Sequence, residues 1–289
     1  MSTTKLSKAE FQLLESLLDP ACNRTNPKEN TNACKSCTGK GFLKDGKITA
    51  AGKRAMEPYR VKRAVFLAAG FGSRLVPITL NTPKSLIRVK GKRIIDSVLD
   101  AVTAAGIEEI YIVRGYLKEQ FDQLLYDYPT IRFIDNPLYN ETNNISTALK
   151  ACDKFENAYV IEADNLLMNS SLITKYQYES NYLGVPVKRT DDWCLQTRNG
   201  VITGANMGGV HCHLWIGISY WDKEDGKKLA KHIPQVFRTP GGKERLWDMV
   251  PLDCFRKDYK IRVRECRAQD VVEIDNLREL QALDESYLM

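Results

Sequence analysis

One stretch constrains this chain more than any other. Val65-Phe66-Leu67-Ala68-Ala69-Gly70-Phe71-Gly72-Ser73-Arg74-Leu75 carries an apolar run straight into a turn with two glycines, and Thr82-Pro83-Lys84-Ser85-Leu86 follows. This is the profile of a buried strand that ends in a phosphate-holding loop. Gly70 and Gly72 let backbone N–H groups approach an anion that bulkier residues would obstruct, and Arg74 and Lys84 add fixed positive charge. The third glycine of a dinucleotide fingerprint is missing, and no Gly-x-x-x-x-Gly-Lys-Ser/Thr occurs, so neither of those phosphate loops is satisfied.

The 289 residues suffice for one large α/β domain or two unequal ones. No apolar run approaches the ~20 residues of a membrane span. The opening Met1-Ser2-Thr3-Thr4-Lys5-Leu6-Ser7 has no apolar core leading to a small-residue cleavage site. A cytoplasmic protein without a membrane segment is expected. The net charge of +6 suits a partner that is an anionic nucleotide or phosphate ester. In a reducing compartment the eight cysteines are expected as thiols. Cys22, Cys34 and Cys37 could offer three thiolates to zinc, but residues 1–60 hold no fourth cysteine and no histidine, so a structural zinc is not expected.

Residues 1–60 read as a separate appendage. Ser7-Lys8-Ala9-Glu10 is a capping box, and Phe11, Leu14, Leu17 and Leu18 follow at helical spacing. Asn23 to Lys40 is polar and without helical periodicity. Gly41 to Thr49 predicts a short hairpin turning at Asp45-Gly46, and Thr49 caps a helix running to Met56. The order resembles a reduced winged helix, a module fused in front of some choline nucleotidyltransferases. A DNA reader needs a recognition helix, which Asn23 to Lys40 does not supply. Docking or dimerisation is the expected role, and DNA is not an expected partner.

From residue 61 to 289 the pattern alternates. Strands are predicted at Arg63–Ala69, Glu109–Val113, Ile131–Ile134 and Ala158–Ala163. Helices are predicted around Ile94–Val102, Leu117–Tyr126 and Asn143–Ala151. Such alternation predicts an α/β fold with a mainly parallel sheet covered on both faces, whose ligands gather beyond the C-terminal strand ends, here Gly70, Gly115 and Asp164. Further on, Asn199-Gly200 predicts a hairpin turn and Leu214–Tyr220 and Lys260–Glu265 predict strands, expected to build an antiparallel extension over the substrate. Trp221–His232 and Lys243–Arg256 predict helices.

Two acidic pairs stand out. Glu162 and Asp164 close an apolar strand, and Glu273 and Asp275 alternate in an extended segment, so that both can face one side. Mg²⁺ favours carboxylate and phosphate oxygens and needs only one or two aspartates beside a nucleotide. His211-Cys212-His213 could suggest a metal motif, but alternating residues entering a strand read as structural. Trp215 and Trp221 read as core.

The loop signature, Leu-Ala-Ala-Gly-x-Gly-x-Arg followed by Pro-Lys, resembles that of the sugar-nucleotide and choline nucleotidyltransferases. Residues 61–289 as a whole resemble the bacterial CTP:phosphocholine cytidylyltransferases. The likeness rests also on Asn143-Asn144, Ala163-Asp164, Gly217-Ile218-Ser219-Tyr220-Trp221, Trp247-Asp248 and Glu273-Ile274-Asp275-Asn276-Leu277. It implies a Rossmann-like three-layer nucleotidyltransferase fold that uses CTP, Mg²⁺ and a small cationic phosphate or phosphonate ester.

By that resemblance Asp164 and Asp275 hold the metal, while Arg74 and Lys84 engage the triphosphate as the catalytic cations. Leu67, Ala69, Gly70, Gly72, Ser73, Gly115, Asn144 and Glu162 belong to the nucleotide site. Trp193, Trp247, Asp248 and Glu273 belong to the acceptor site. Glu162 departs from the aspartate or serine frequent in that family, which counts against it as a direct ligand. The implied reaction is attack of a phosphate oxygen on the α-phosphorus of CTP with release of pyrophosphate. Aminoethylphosphonate is the nearest alternative acceptor. A sugar phosphate, or a DNA-binding regulator with an inactive nucleotide domain, ranks lower.

Overall fold

A computed structural model describes residues 5–19 and 31–288. The N-terminal elements are α1 (Lys8–Leu18), α2 (Thr31–Gly39), β1 (Leu43–Lys44), β2 (Lys47–Ile48) and α3 (Ala50–Met56). Ser7 and Glu10 form the expected capping box, Thr49 caps α3 by accepting from the Gly52 N–H, and Asp45 and Gly46 both take positive φ in the hairpin turn. The polar stretch differs from expectation in holding a helix, α2. Only Ala33 and Cys37 of α2 are buried, one turn apart, so its apolar face is too narrow to show as a periodicity. Cys34 and Cys37 are free thiols, and Cys22 lies outside the described residues.

These elements share a small apolar cluster built on Phe11, Leu14, Leu43, Met56 and Tyr59. Tyr178, from the larger part of the chain, stacks on Tyr59 with ring centroids 5.5 Å apart and touches Phe11 at 5.3 Å. Its hydroxyl donates to the Leu6 carbonyl at 2.8 Å.

The remaining elements are β3 (Arg63–Ala68), the short pair β4 (Arg88–Val89) and β5 (Lys92–Arg93), α4 (Ile94–Ala104), β6 (Glu109–Arg114), α5 (Leu124–Asp127), β7 (Ile131–Asp135), α6 (Ile145–Ala151), β8 (Ala158–Glu162), β9 (Asn165–Leu167), β10 (Asn181–Arg198), β11 (Val201–Trp221), α7 (Lys223–Phe237), β12 (Arg262–Glu265), β13 (Val271–Glu273) and α8 (Leu277–Leu283). Seven strands form one sheet in the order β10-β12-β11-β8-β3-β6-β7. β8, β3, β6 and β7 are mutually parallel, and β11 joins them antiparallel through β8. Alternation along β3 makes the three layers. Ala64 and Phe66 pack with Val98, Leu99 and Val102 of α4 on one face, while Val65 and Leu67 pack with α6 and α7 on the other. No helix among the described residues is long and apolar enough to cross a membrane.

The antiparallel part is more extensive than the sequence suggested. β10 and β11 run 18 and 21 residues and join through Asn199-Gly200, both at positive φ, as a two-residue turn requires. Irregular register between Thr190 and Thr197 curls this arm, so that Leu195 lies opposite both Ala205 and His213. Lys243–Arg256 is not the predicted helix. Pro251 cannot supply the N–H a continuous helix requires there, and the segment winds as turns with one wide turn at Val250–Cys254. The predicted Leu117 helix opens with Leu117 left-handed and a tighter turn before α5, and α7 starts at Lys223 because Asp222 caps it while Trp221 is still strand.

Candidate active site

β3 ends at Ala68, and the chain turns through Gly70 and Gly72 over the C-terminal edge of the sheet. Gly72 sits at φ 71° and ψ 44°, and a Cβ there would lie 3.1 Å from both the Lys84 Cβ and Thr79 Cγ2. A side chain at this position would therefore carry backbone strain and crowd the lysine that packs beneath the loop. Two short helical turns, Ser73–Leu75 and Lys84–Leu86, then present Arg74 and Lys84.

Both cations meet carboxylates. The Lys84 ammonium donates to Asp164 Oδ2 at 2.8 Å and to Asp275 Oδ1 at 3.2 Å. The Arg74 guanidinium grips Asp275 with two bonds of 2.9 and 2.7 Å, the fork geometry suited to carboxylate and phosphate alike. Burial works against the Lys84 charge, but Asp164 and then Asp275 overcome it and raise its pKa. Asp164 stands just past β8, and Asp275 just past β13, which pairs with β9 across the mouth of the sheet.

Glu162 is the last residue of β8. Its Oε1 accepts from Asn144 Nδ2 at 3.2 Å, and Asn144 Oδ1 in turn accepts from the Trp247 N–H at 2.8 Å. Glycine at 217 makes room for this carboxylate, since a Cβ there would fall 2.7 Å from Glu162 Oε2. Carboxylate oxygens of Glu162, Asp164 and Glu273 lie within 4.8 Å of one another. Burial raises the Glu162 pKa well above its ordinary value, with Asp248, Asp164 and Glu273 adding to it. Burial pushes Glu273 up to about 8, with Asp164 and Asp275 contributing. These two carboxyls stand beside Asp164, which the Lys84 ammonium joins to Asp275, and such hard oxygen donors are of the kind a divalent cation takes.

Two cavities meet at these residues. The first, of about 370 Å³, lies under the glycine loop and is lined by Leu67, Ala69, Gly70, Lys84 and Asn144 among others. The second, of about 280 Å³, lies under the β10–β11 arm and includes Trp193, Trp215, Asp192, Asp248, Glu273 and Asp275. Arg74, Glu162 and Asp164 line both.

The MobA-like NTP transferase domain matches residues 64–269. The chain belongs to this family. It is 33% identical over 229 residues to the 2-aminoethylphosphonate cytidylyltransferase of Lancefieldella rimae, an alignment covering 78% of this chain and 93% of that protein. The choline-phosphate cytidylyltransferase of Streptococcus pneumoniae is 31% identical over 77% of this chain and 97% of its own length. The solved structure of a CTP:phosphocholine cytidylyltransferase from Streptococcus pneumoniae superposes with a TM-score of 0.72 at 30% identity, covering 78% of this chain and 99% of that one.

In this nucleotidyltransferase most of the expected site residues converge, but several stand elsewhere. Trp247 does not reach either cavity. It is 1% exposed, packed edge-on against Phe155 and Trp221, because its segment dives into the core, and only its backbone touches the site, through Asn144. Trp215, expected in the core, lines the second cavity, set two residues before Gly217 on the same face of β11. Its ring stands 5.9 Å from that of Trp193 at 85°.

Ser73 is exposed on the loop, and Gly115 lies behind it, where a Cβ would come within 2.7 Å of Tyr139. His211 is exposed, Cys212 is buried, and His213 pairs with Glu265 at 3.0 Å, so these three alternate rather than converge. Sequence reasoning missed Tyr139, Thr142 and Thr147 of the first cavity and Met207 and Leu246 of the second. Of these, only Thr142, adjacent to Asn143-Asn144, carried a signal.

Proposed function

We propose that the protein transfers CMP from CTP to phosphocholine, forming CDP-choline and pyrophosphate. The observation that carries this reading is the second cavity. The perpendicular rings of Trp193 and Trp215 contribute two aromatic walls, the carboxyl groups of Asp192, Asp248 and Glu273 line the cavity with them, and it opens onto Asp164 and Arg74. A quaternary ammonium has no N–H to donate and is held by aromatic faces and nearby negative charge. The phosphate it carries would then point at the shared wall.

In this reading the first cavity holds CTP, with the loop from Ala69 to Gly72 around its phosphates. Arg74 and Lys84 leave their carboxylates for the triphosphate, and the bidentate fork of Arg74 transfers from Asp275 to phosphate oxygens. An acceptor phosphate oxygen forms a bond to the α-phosphorus, and the bond from that phosphorus to the bridging oxygen breaks as pyrophosphate departs. The nucleophile is already ionised, so no general base is needed. The residues supply alignment and charge neutralisation. Mg²⁺ bound by Asp164 and Asp275 would neutralise charge on the triphosphate. Glu162 orients Asn144 and so the edge of the nucleotide cavity.

One observation favours aminoethylphosphonate as a second acceptor. Asp248 is buried and its Oδ2 has no hydrogen-bond partner, which a primary ammonium would provide. Residues 1–60 serve in this proposal as a docking or dimerisation appendage to a cytoplasmic enzyme, with neither DNA nor membrane engaged.

Pyrophosphate release tests the proposal. With CTP and Mg²⁺ the protein should turn over phosphocholine faster than aminoethylphosphonate, and UTP or glucose 1-phosphate should give little. Silence with CTP and both amine acceptors would overturn it.

A further inference from the structure

The acceptor cavity has two unlike walls, a carboxylate and an indole, which come from distant parts of the chain. Asp248 belongs to the irregular segment after α7, and Trp215 to β11. Tyr182, the second residue of β10, touches both. It is 1% exposed and lines neither cavity. Its hydroxyl donates to Asp248 Oδ1 at 2.7 Å. Its ring meets Trp215 edge to face at 5.7 Å and 85°, and its other neighbour, Trp221, at 5.6 Å and 88°.

We infer that Tyr182 is the positioning residue of the acceptor site, setting at once which oxygen of Asp248 faces the acceptor and where the Trp215 ring stands. The bond to Tyr182 occupies Asp248 Oδ1, while Oδ2, buried and without a partner, is left for the acceptor. A carboxylate without that bond could rotate, and neither oxygen would be held in place. Removing the hydroxyl alone separates the two roles, because the ring of a phenylalanine still packs on Trp215 and Trp221.

The inference rests on the proposed cytidylyl transfer, and the experiment keeps the two apart. Initial rates of pyrophosphate release are measured for the full chain, varying CTP and the amine acceptor in turn, for the wild type, Tyr182→Phe, Asp248→Asn and the double variant. Absence of wild-type turnover would overturn the proposed reaction. Given wild-type turnover, Tyr182→Phe should raise the acceptor KM about tenfold, the size of one lost hydrogen bond to a charged group, with the KM for CTP unchanged. Adding Tyr182→Phe to Asp248→Asn should change the acceptor KM little further, because both act through one carboxylate. An acceptor KM for Tyr182→Phe equal to wild type, or a double variant whose effects simply multiply, would overturn the positioning role. So would equal losses for CTP and acceptor. Thermal melting of each variant shows whether folding has suffered. Should Tyr182→Phe fail to fold, Tyr182→His, which keeps a ring and a donor, is expected to give an acceptor KM between those of wild type and Asp248→Asn with the KM for CTP unchanged, and a folded Tyr182→His that raises both KM values equally would count against the inference.

Discussion

Lys84 and Arg74 hold the two aspartates that the proposed chemistry assigns to the metal, so these four charges are already matched to one another before any ligand arrives. Removing one partner should therefore cost function far more than fold. Asp164→Asn and Asp275→Asn are each expected to lower kcat/KM by at least about 100-fold, and thermal melting should move by only a few degrees because both side chains are partly exposed. Gly217→Ala makes a sharper test. The added methyl would press on Glu162 Oε2 and Cβ at 2.7 and 2.8 Å, and Glu162 must swing away from Asn144. We expect a fall in kcat/KM of about tenfold or more, measured beside the melting temperature.

At the scale of elements, the N-terminal helices are tied to the rest through Tyr59, Phe11 and Tyr178 rather than hung on a linker. A chain cut to residues 61–289 should keep its pyrophosphate-releasing activity, as all the cavity residues are retained, yet melt several degrees lower because Tyr176 and Tyr178 lose their apolar cover. Within this unit Glu10 supplies a pH dependence. Burial opposes its charge, but the Lys40 ammonium at 2.6 Å, the Ser7 N–H and the Ser36 hydroxyl at 2.7 Å hold its pKa down at about 2, against 4.5 for a free side chain. A pKa lowered by folding means stability that is fully present above the unfolded value and lost as pH falls through the folded one. The melting temperature of wild type should thus drop below pH 4.5 toward pH 2, and that of Glu10→Gln, lower at neutral pH, should converge on it there. The same elements show where the sequence was readable. α1 and α3 carry caps and apolar faces, whereas α2 hides behind two buried small residues and Lys243–Arg256 mimics a helix by composition while Pro251 prevents it.

Across the whole molecule, legibility follows the physics of each half. The parallel half is written in continuous apolar runs bounded by glycine and acid, so β3, β6 and β8 with Gly70, Gly72, Arg74, Lys84 and Asp164 could be found from local pattern. The second half depends on pairing over long separations. Nothing near Trp215 or Tyr182 in sequence announces that one lines a cavity and the other supports it, and nothing near Trp247 announces that its ring turns inward. Trp193→Ala should accordingly touch only the acceptor. The acceptor KM is expected to rise about threefold to thirtyfold for phosphocholine and less for aminoethylphosphonate, with the KM for CTP unchanged; equal effects on both amines would remove the case for an aromatic cage.

The β10–β11 arm has a consequence for how such proteins diversify. Residues 181–221 form one uninterrupted stretch that contributes Asp192, Trp193, Met207, Trp215 and Gly217 to the cavity proposed for the acceptor, and none of them lines the cavity under the glycine loop. Mutations there can accumulate, or a whole arm can be exchanged between relatives, while the machinery for the phosphates is inherited intact. The arm's share of the proposed acceptor site is thus separable, as a heritable unit, from the glycine-loop cavity, and an engineer seeking a new acceptor would vary the arm together with Asp248 and Glu273, which lie outside it.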